Sequence, residues 1–278
     1  MKASDLTRSM PQSLIGLVFT VMPLSLSLWA LEPPKRWVST SPQLTELLFQ
    51  LDLGEKVVGT TDQSDYPSAA RKIRRVGRLF APNLEAILSC APDLVLWDSS
   101  SFDPTLESRL FSMGIPSLKF PLDSVESVFA ASRRLIQEFR PGKKPDVLIR
   151  AEIEWDLRRK RNFSFIALAW ADPPMVFGKK TFLFSLLEGL GGNSILPARW
   201  NTQYLKVSEE WIMAQNPTHL FYLKHDALSA FATKEQCKKW WPNQTVECVG
   251  IDAEKFARAS LTPLLFLSTL DFIGKNKQ

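Results

Sequence analysis

The chain offers few side chains suited to covalent chemistry. Among its 278 residues are two histidines, His219 and His225, six apart and in or beside the apolar run Leu220-Phe221-Tyr222-Leu223. Capture of zinc or manganese wants three or four His and carboxylate ligands, and two His in one region do not supply them. No serine sits in a nucleophile-elbow setting, and no glycine-rich segment opens a helix after a strand. Gly191-Gly192 follows a helical pattern, so it reads as a helix stop. With no convergent acid, base and nucleophile, the sequence speaks against an enzyme and against a resident cofactor or metal.

The aromatic residues point toward binding instead. The chain has 18 Phe, 9 Trp and 3 Tyr. Tyr66 falls in the loop Ser64-Asp65-Tyr66-Pro67, and Phe80 follows Leu79 in a short loop before Pro82. Trp170 and Phe177 flank Asp172-Pro173-Pro174, and Trp200 and Tyr204 lie between Gly191-Gly192 and Ser208. Aromatic rings in loops at strand ends suit a flat, largely apolar ligand.

Positioning such residues takes a scaffold, and the hydrophobic pattern describes one. Trp37-Val38-Ser39 reads as a strand. Ser41-Pro42 then gives an N-cap and a proline at the first helical position. Leu44, Leu47, Leu48 and Leu51 mark one buried helix face, which Gly54 is expected to end. Strand signals follow at 56–59, 94–97 and 116–120, with helices at 83–88 and 103–113 and a long polar connection over 60–78. From Ser124 to Lys160 there are two helical stretches, broken at Pro141-Gly142, and no strand signal. Strands resume at 163–170, 220–223 and 245–249, with helices at 182–190, from Ser208, at 230–241 and at 261–273. This predicts two α/β lobes: 36–121, a helical connector 122–161, and 162–278.

One spacing recurs. Glu85 precedes Pro92 by seven residues, and a buried strand follows; Glu210 precedes Pro217 by seven, and a buried strand follows. Each acid lies in the first turn of a helix, where it favours the helix N-terminus. The repeat implies a duplicated architecture.

Residues 1–30 carry Lys2 and Arg8, an apolar run from Leu14 to Leu28 broken by Pro23, and small residues up to Ala30. This reads as a cleaved secretory signal peptide rather than a membrane anchor, because the run is short and interrupted. No cysteine ends the run to carry a lipid anchor, so a soluble periplasmic protein is expected. Removal of residues 1–30 changes the formal charge from +5 to +4. The basic runs at 71–75 and 158–161 are not interleaved with aromatic residues, which argues against nucleic acid as a partner. Cys90 lies in an apolar segment as a small core residue. In an oxidising compartment Cys237 and Cys248 are close enough in sequence to pair, but spacing alone leaves the pairing open.

These segments together resemble the periplasmic cobalamin-binding proteins, within the helical-backbone receptor superfamily that also carries siderophores, haem and metals. The resemblance rests on Ser41-Pro42 with Thr45-Glu46-Leu47, Ser64-Asp65-Tyr66-Pro67, Asn83-Leu84-Glu85, Pro92-Asp93-Leu94-Val95 and Gly114-Ile115. It continues through Pro173-Pro174, Gly178-Lys179, Gly191-Gly192-Asn193, Val207-Ser208 and 256–260. It implies two Rossmann-like lobes with central sheets, joined by a long helix, with a ligand cleft between them. It also implies delivery of a corrinoid by a monomer to the permease dimer of an ABC importer at the inner membrane. Glu85 and Glu210 fall where the family docks on its permease. Tyr66, Leu79 and Phe80 fall on the lobe-one side of the ligand, and Trp170, Phe177, Tyr204, Glu254 and Arg258 on the lobe-two side. The sequence departs from the family at Leu79, where a tryptophan is usual, and in its second-lobe cysteines, so a ferric siderophore or haem is the alternative cargo.

Overall fold

A computed structural model describes residues 32–142, 144–224, 234–242 and 246–270. The signal segment, His225 and the end of the expected closing helix lie outside these residues.

The first lobe is built on continuous apolar runs. Strands β1 (Trp37–Ser39), β2 (Val57–Thr60) and β3 (Arg74–Arg75) pair in parallel. Helix α1 (Pro42–Gln50) follows β1, with the Ser41 hydroxyl accepting from the Leu44 amide. It closes at Leu51, and the chain reverses at Asp52 with φ 56°, two residues before the expected stop at Gly54. At the end of the expected polar connection, and running past it, lies a small hairpin, β4 (Gly77–Arg78) and β5 (Ala81–Pro82). Gly77, at φ 110°, starts it in backbone space that side chains disfavour. Helix α2 (Leu84–Leu88), capped by Asn83, leads to β6 (Leu94–Asp98). Helix α3 (Pro104–Ser112), capped by Asp103, leads to β7 (Ser117–Phe120). The strand order is β3-β2-β1-β6-β7. Val38, Val95 and Trp97 pack with Ile87, Leu106 and Leu110 in one apolar cluster. Trp37, Leu94 and Leu96, the alternate positions, are also fully buried, so both faces of the sheet are covered.

The connector holds two helices, α4 (Val125–Phe139) and α5 (Asp146–Leu157). Helix α4 is the long joining helix. Its first turn meets lobe two, where the Val125 amide donates to the Ser185 hydroxyl at 3.2 Å. Its last turn meets lobe one, where Phe139 packs on Trp37 and Arg140 pairs with Asp52 at 2.6 Å.

The second lobe opens with β8 (Phe163–Ala171), which turns tightly into β9 (Pro174–Phe177). Helix α6 (Phe182–Gly189) ends at Leu190, and Gly191 follows at φ 93° as the expected stop. Then come β10 (Gly192–Ser194), β11 (Tyr204–Lys206) and helix α7 (Glu209–Ala214). They are followed by β12 (His219–Lys224), helix α8 (Lys234–Trp240) and β13 (Glu247–Asp252). The sheet order is β11-β9-β8-β12-β13, with β10 paired to the start of β8. Phe163, Phe165, Phe184 and Phe221 form its aromatic core. A disulfide joins Cys237 on α8 to Cys248 on β13, with Cα atoms 6.2 Å apart. A short helix α9 (Ala253–Phe256) follows β13, and where a closing helix is expected over 261–273 the described residues hold only α10 (Thr262–Leu265) and a 3-10 turn at Leu267–Leu270. Pro263 fits the first turn of α10, where its missing N–H leaves no helical bond unmade. Helix α10 packs on α5.

The repeated spacing has a structural counterpart. Helix α2 precedes β6, which pairs with the lobe's first strand, β1; helix α7 precedes β12, which pairs with β8, the first strand of its lobe. No helix among the described residues is long and apolar enough to cross a membrane.

Candidate ligand-binding site

A cleft of about 850 Å³, its open mouth included, lies between the lobes. Lobe one contributes the residues that follow its parallel strands. Gln43 comes after β1, Ser99 and Ser100 after β6, and the segment Pro121–Asp123 after β7. Ligands of parallel α/β sheets bind outside the carboxyl ends of the strands, so this wall lies where such a sheet receives a ligand. The β4–β5 hairpin adds Leu79 and Phe80 at its tip, and the Gln63 side chain holds the Leu79 amide at 3.1 Å. Phe80 leaves 72% of its surface exposed.

Lobe two faces this wall with Phe177 and Tyr204. The two are direct antiparallel partners on β9 and β11, with ring centroids 5.5 Å apart. Gly178 makes that pairing possible, since a side chain there would collide with the Thr202 carbonyl. Half of the Tyr204 surface is exposed, yet the cleft walls desolvate its hydroxyl, and with the nearby Asp98 charge they push its pKa up. Lys180, at the start of α6, and Ala257 and Ala259 complete the wall.

Four of the eight expected ligand residues therefore line one cleft: Leu79, Phe80, Phe177 and Tyr204. The other four lie elsewhere. Trp170 and Phe177 stand in strands rather than loops, because Asp172-Pro173 is only a tight turn between β8 and β9, and Pro174 already belongs to β9. Trp170 does not line the cleft; its indole donates to the Asp172 carbonyl at 2.9 Å. Glu254, Arg258 and Tyr66 form a cluster beside the cleft. The Arg258 guanidinium reaches Glu254 at 2.7 Å and, across the lobes, Asp65 at 2.9 Å. It also lies 5.9 Å from the Tyr66 ring centre.

Beneath the lobe-one wall is Asp98, 1% exposed. One carboxylate oxygen accepts from the Ser100 amide and hydroxyl, while the other, Oδ2, has no hydrogen-bond partner. Burial raises its pKa, against the hydrogen bonds from Ser100 and the weaker pull of the Ser41 and Gln43 side chains beside it. Gln43, Ser99, Ser100, Asp123 and Lys180 are absent from the sequence-derived site. Their signal is position, immediately after predicted strands or at a helix start, rather than residue type.

His219 is a structural residue. It stacks on Phe221 and hydrogen-bonds Thr218 at 2.8 Å, and burial pushes its imidazole pKa down. No cluster of three His, Cys, Asp or Glu able to hold a metal occurs among the described residues. Glu85 and Glu210 are both exposed, in the first turns of α2 and α7.

No family-level sequence profile matches the chain. It is 27% identical over 273 residues to a vitamin B12-binding protein of Yersinia pseudotuberculosis, covering 92% of each chain. Among solved structures it is similar to the periplasmic vitamin B12-binding protein BtuF of Vibrio cholerae. The TM-score is 0.66 at 17% identity, over 86% of this chain and 95% of that one. It is also similar to the periplasmic haem-binding protein RhuT of Roseiflexus sp. RS-1. There the TM-score is 0.71 at 20% identity, over 85% and 96%. The sequence resemblance and the two-lobe fold are thus both borne out, and the relatives are solute-binding proteins.

Proposed function

We propose that this chain is the periplasmic solute-binding protein of an ABC importer and that its cargo is a cobalamin-like corrinoid. The observation that carries the reading is the interlobe cleft, with Phe80 presented from one lobe and the Phe177–Tyr204 pair from the other. Two aromatic walls facing each other suit a broad, flat macrocycle, and a ligand there would cover the otherwise exposed Phe80 ring. The whole-length likeness to a vitamin B12-binding protein supports the same cargo.

Haem is the second reading, favoured by the likeness to RhuT. Charge argues against it. Haem propionates call for free cations, and the cleft lining holds one cation, Lys180, and one acid, Asp123, while the Arg258 guanidinium is engaged by Asp65 and Glu254. A corrinoid rim carries neutral amides, which need hydrogen-bond donors and acceptors of the kind Gln43, Ser99 and Ser100 supply. Glu85 and Glu210 serve as the docking acids, one per lobe, for the importer's permease. Two separated charges set orientation and encounter rate more than affinity. Titration calorimetry of the protein lacking residues 1–30 tests the cargo. Cyanocobalamin is expected to give saturable one-site heat and hemin none; the reverse result assigns the protein to haem.

A further inference from the structure

Between α1 of lobe one and the C-terminal segment of lobe two lies a carboxyl that the binding reading does not use. Glu46 is 1% exposed. Its Oε1 accepts from the Ser260 hydroxyl at 2.8 Å, the Thr262 hydroxyl at 2.6 Å and the Gln50 amide at 3.1 Å. Gln50 closes the ring, donating to Thr262 at 2.7 Å and accepting from the Leu261 amide at 3.0 Å. The other oxygen, Oε2, has no hydrogen-bond partner and faces Arg258 Nη1 at 3.8 Å. So the bent segment 258–261 and the start of α10 cross back to lobe one, a second join beside α4.

We infer that Glu46 is a positioning residue: it straps the C-terminal segment of lobe two to α1 and holds Arg258 at the cleft edge against the competing pull of Asp65. The geometry gives the reasons. Ala257 and Ala259, on either side of Arg258, line the cleft. Arg258 pairs with exposed Asp65 of lobe one and with Glu254 of its own segment, and buried Glu46 faces its other nitrogen at 3.8 Å. Burial pushes the Glu46 pKa up, against the Thr262 and Ser260 hydrogen bonds and the Arg258 charge; ionised, Glu46 acts on the guanidinium at lower dielectric than exposed Asp65, so it sets where the arginine rests once Asp65 is released. Three donors on one oxygen are what allow a carboxylate to stay buried there. The inference rests on the corrinoid reading only for its affinity readout.

The test compares wild type, Glu46→Gln, Asp65→Asn and the double variant. Glutamine keeps an acceptor for Ser260 and Thr262 but removes the charge facing Arg258. Glu46→Gln is expected to weaken cyanocobalamin binding by about tenfold, the loss of one charge-assisted contact, while its melting temperature stays at or above wild type. Adding Asp65→Asn removes the competitor and restores affinity to within about twofold of wild type, an outcome that a merely structural role for Glu46 does not produce. Amide hydrogen exchange over 257–262, measured without ligand, is expected to quicken in Glu46→Gln and to slow again in the double variant. An affinity loss that persists unchanged in the double variant, or exchange identical in all four proteins, overturns the inference. If wild type binds no cyanocobalamin, the cargo reading falls and the exchange result alone decides the role of Glu46.

Discussion

Asp98 shows how one residue at the site works against stability. Its carboxyl sits under the lobe-one wall with one oxygen unpartnered, and burial raises its pKa above the ordinary 3.8. A carboxyl raised in this way contributes stability that is fully present below the unfolded value and is lost as pH rises through the folded one. Asp98→Asn keeps the oxygen that accepts from Ser100 and removes the charge. It is therefore expected to be more stable than wild type at pH 7, by about 1 kcal/mol, with the gain gone by about pH 3. Thermal melts across that range check it; a gain that does not depend on pH would show that the charge is not the cause. Nothing in the sequence around Asp98 marks it, since an acid after a strand reads as an ordinary cap. The aromatic residues were more legible. Leu79, Phe80, Phe177 and Tyr204 meet at one cleft because each stands in a segment whose neighbours, a hairpin tip or a strand edge, cannot bury it fully. Arg258 was legible as a residue but not in its partners, since Asp65 and Glu46 lie 193 and 212 positions away in the chain.

At the level of elements, local chemistry was readable wherever it ends in a cap. Ser41-Pro42, Asp103-Pro104 and Ser208 each begin a helix where the sequence places one. Elements with no period to read were missed. The β4–β5 hairpin has two residues per strand, and β9 follows so tightly on β8 that its turn resembles a loop. Helix α1 ends early because Asp52 takes the left-handed turn that glycine usually takes. The disulfide is the strongest local restraint in lobe two. It ties α8 to the edge strand β13 across a separation of 11 residues. Closing a loop of that size removes about 3 kcal/mol of unfolded-state entropy. Replacing both Cys237 and Cys248 with serine is expected to lower the unfolding free energy by about that amount in urea melts, and reductant should have the same effect on wild type only. Equal stability of the two proteins under oxidising conditions would contradict it.

For the whole molecule, the duplicated order of helix, proline and buried strand was visible in the Glu85 and Glu210 spacing, and the two sheets carry it at matching places beside their first strands. What joins the lobes was only half visible. The helical connector had a pattern, whereas the return of 258–262 onto α1 depends on hydrogen bonds between distant polar side chains, which leave no periodicity. Two joins favour a cleft that is largely formed before ligand arrives. On this account Glu85→Ala with Glu210→Ala leaves cyanocobalamin affinity unchanged and abolishes uptake through the cognate permease in a vesicle transport assay. A loss of affinity in that variant would place these acids at the cleft or in the fold. Calorimetric titration with cyanocobalamin decides whether the interlobe cleft receives a corrinoid on its aromatic walls. One-site binding to wild type is expected, weakened about tenfold in Phe80→Ala with an unchanged melting temperature. Absence of heat with wild type, or equal affinity in Phe80→Ala, would contradict it.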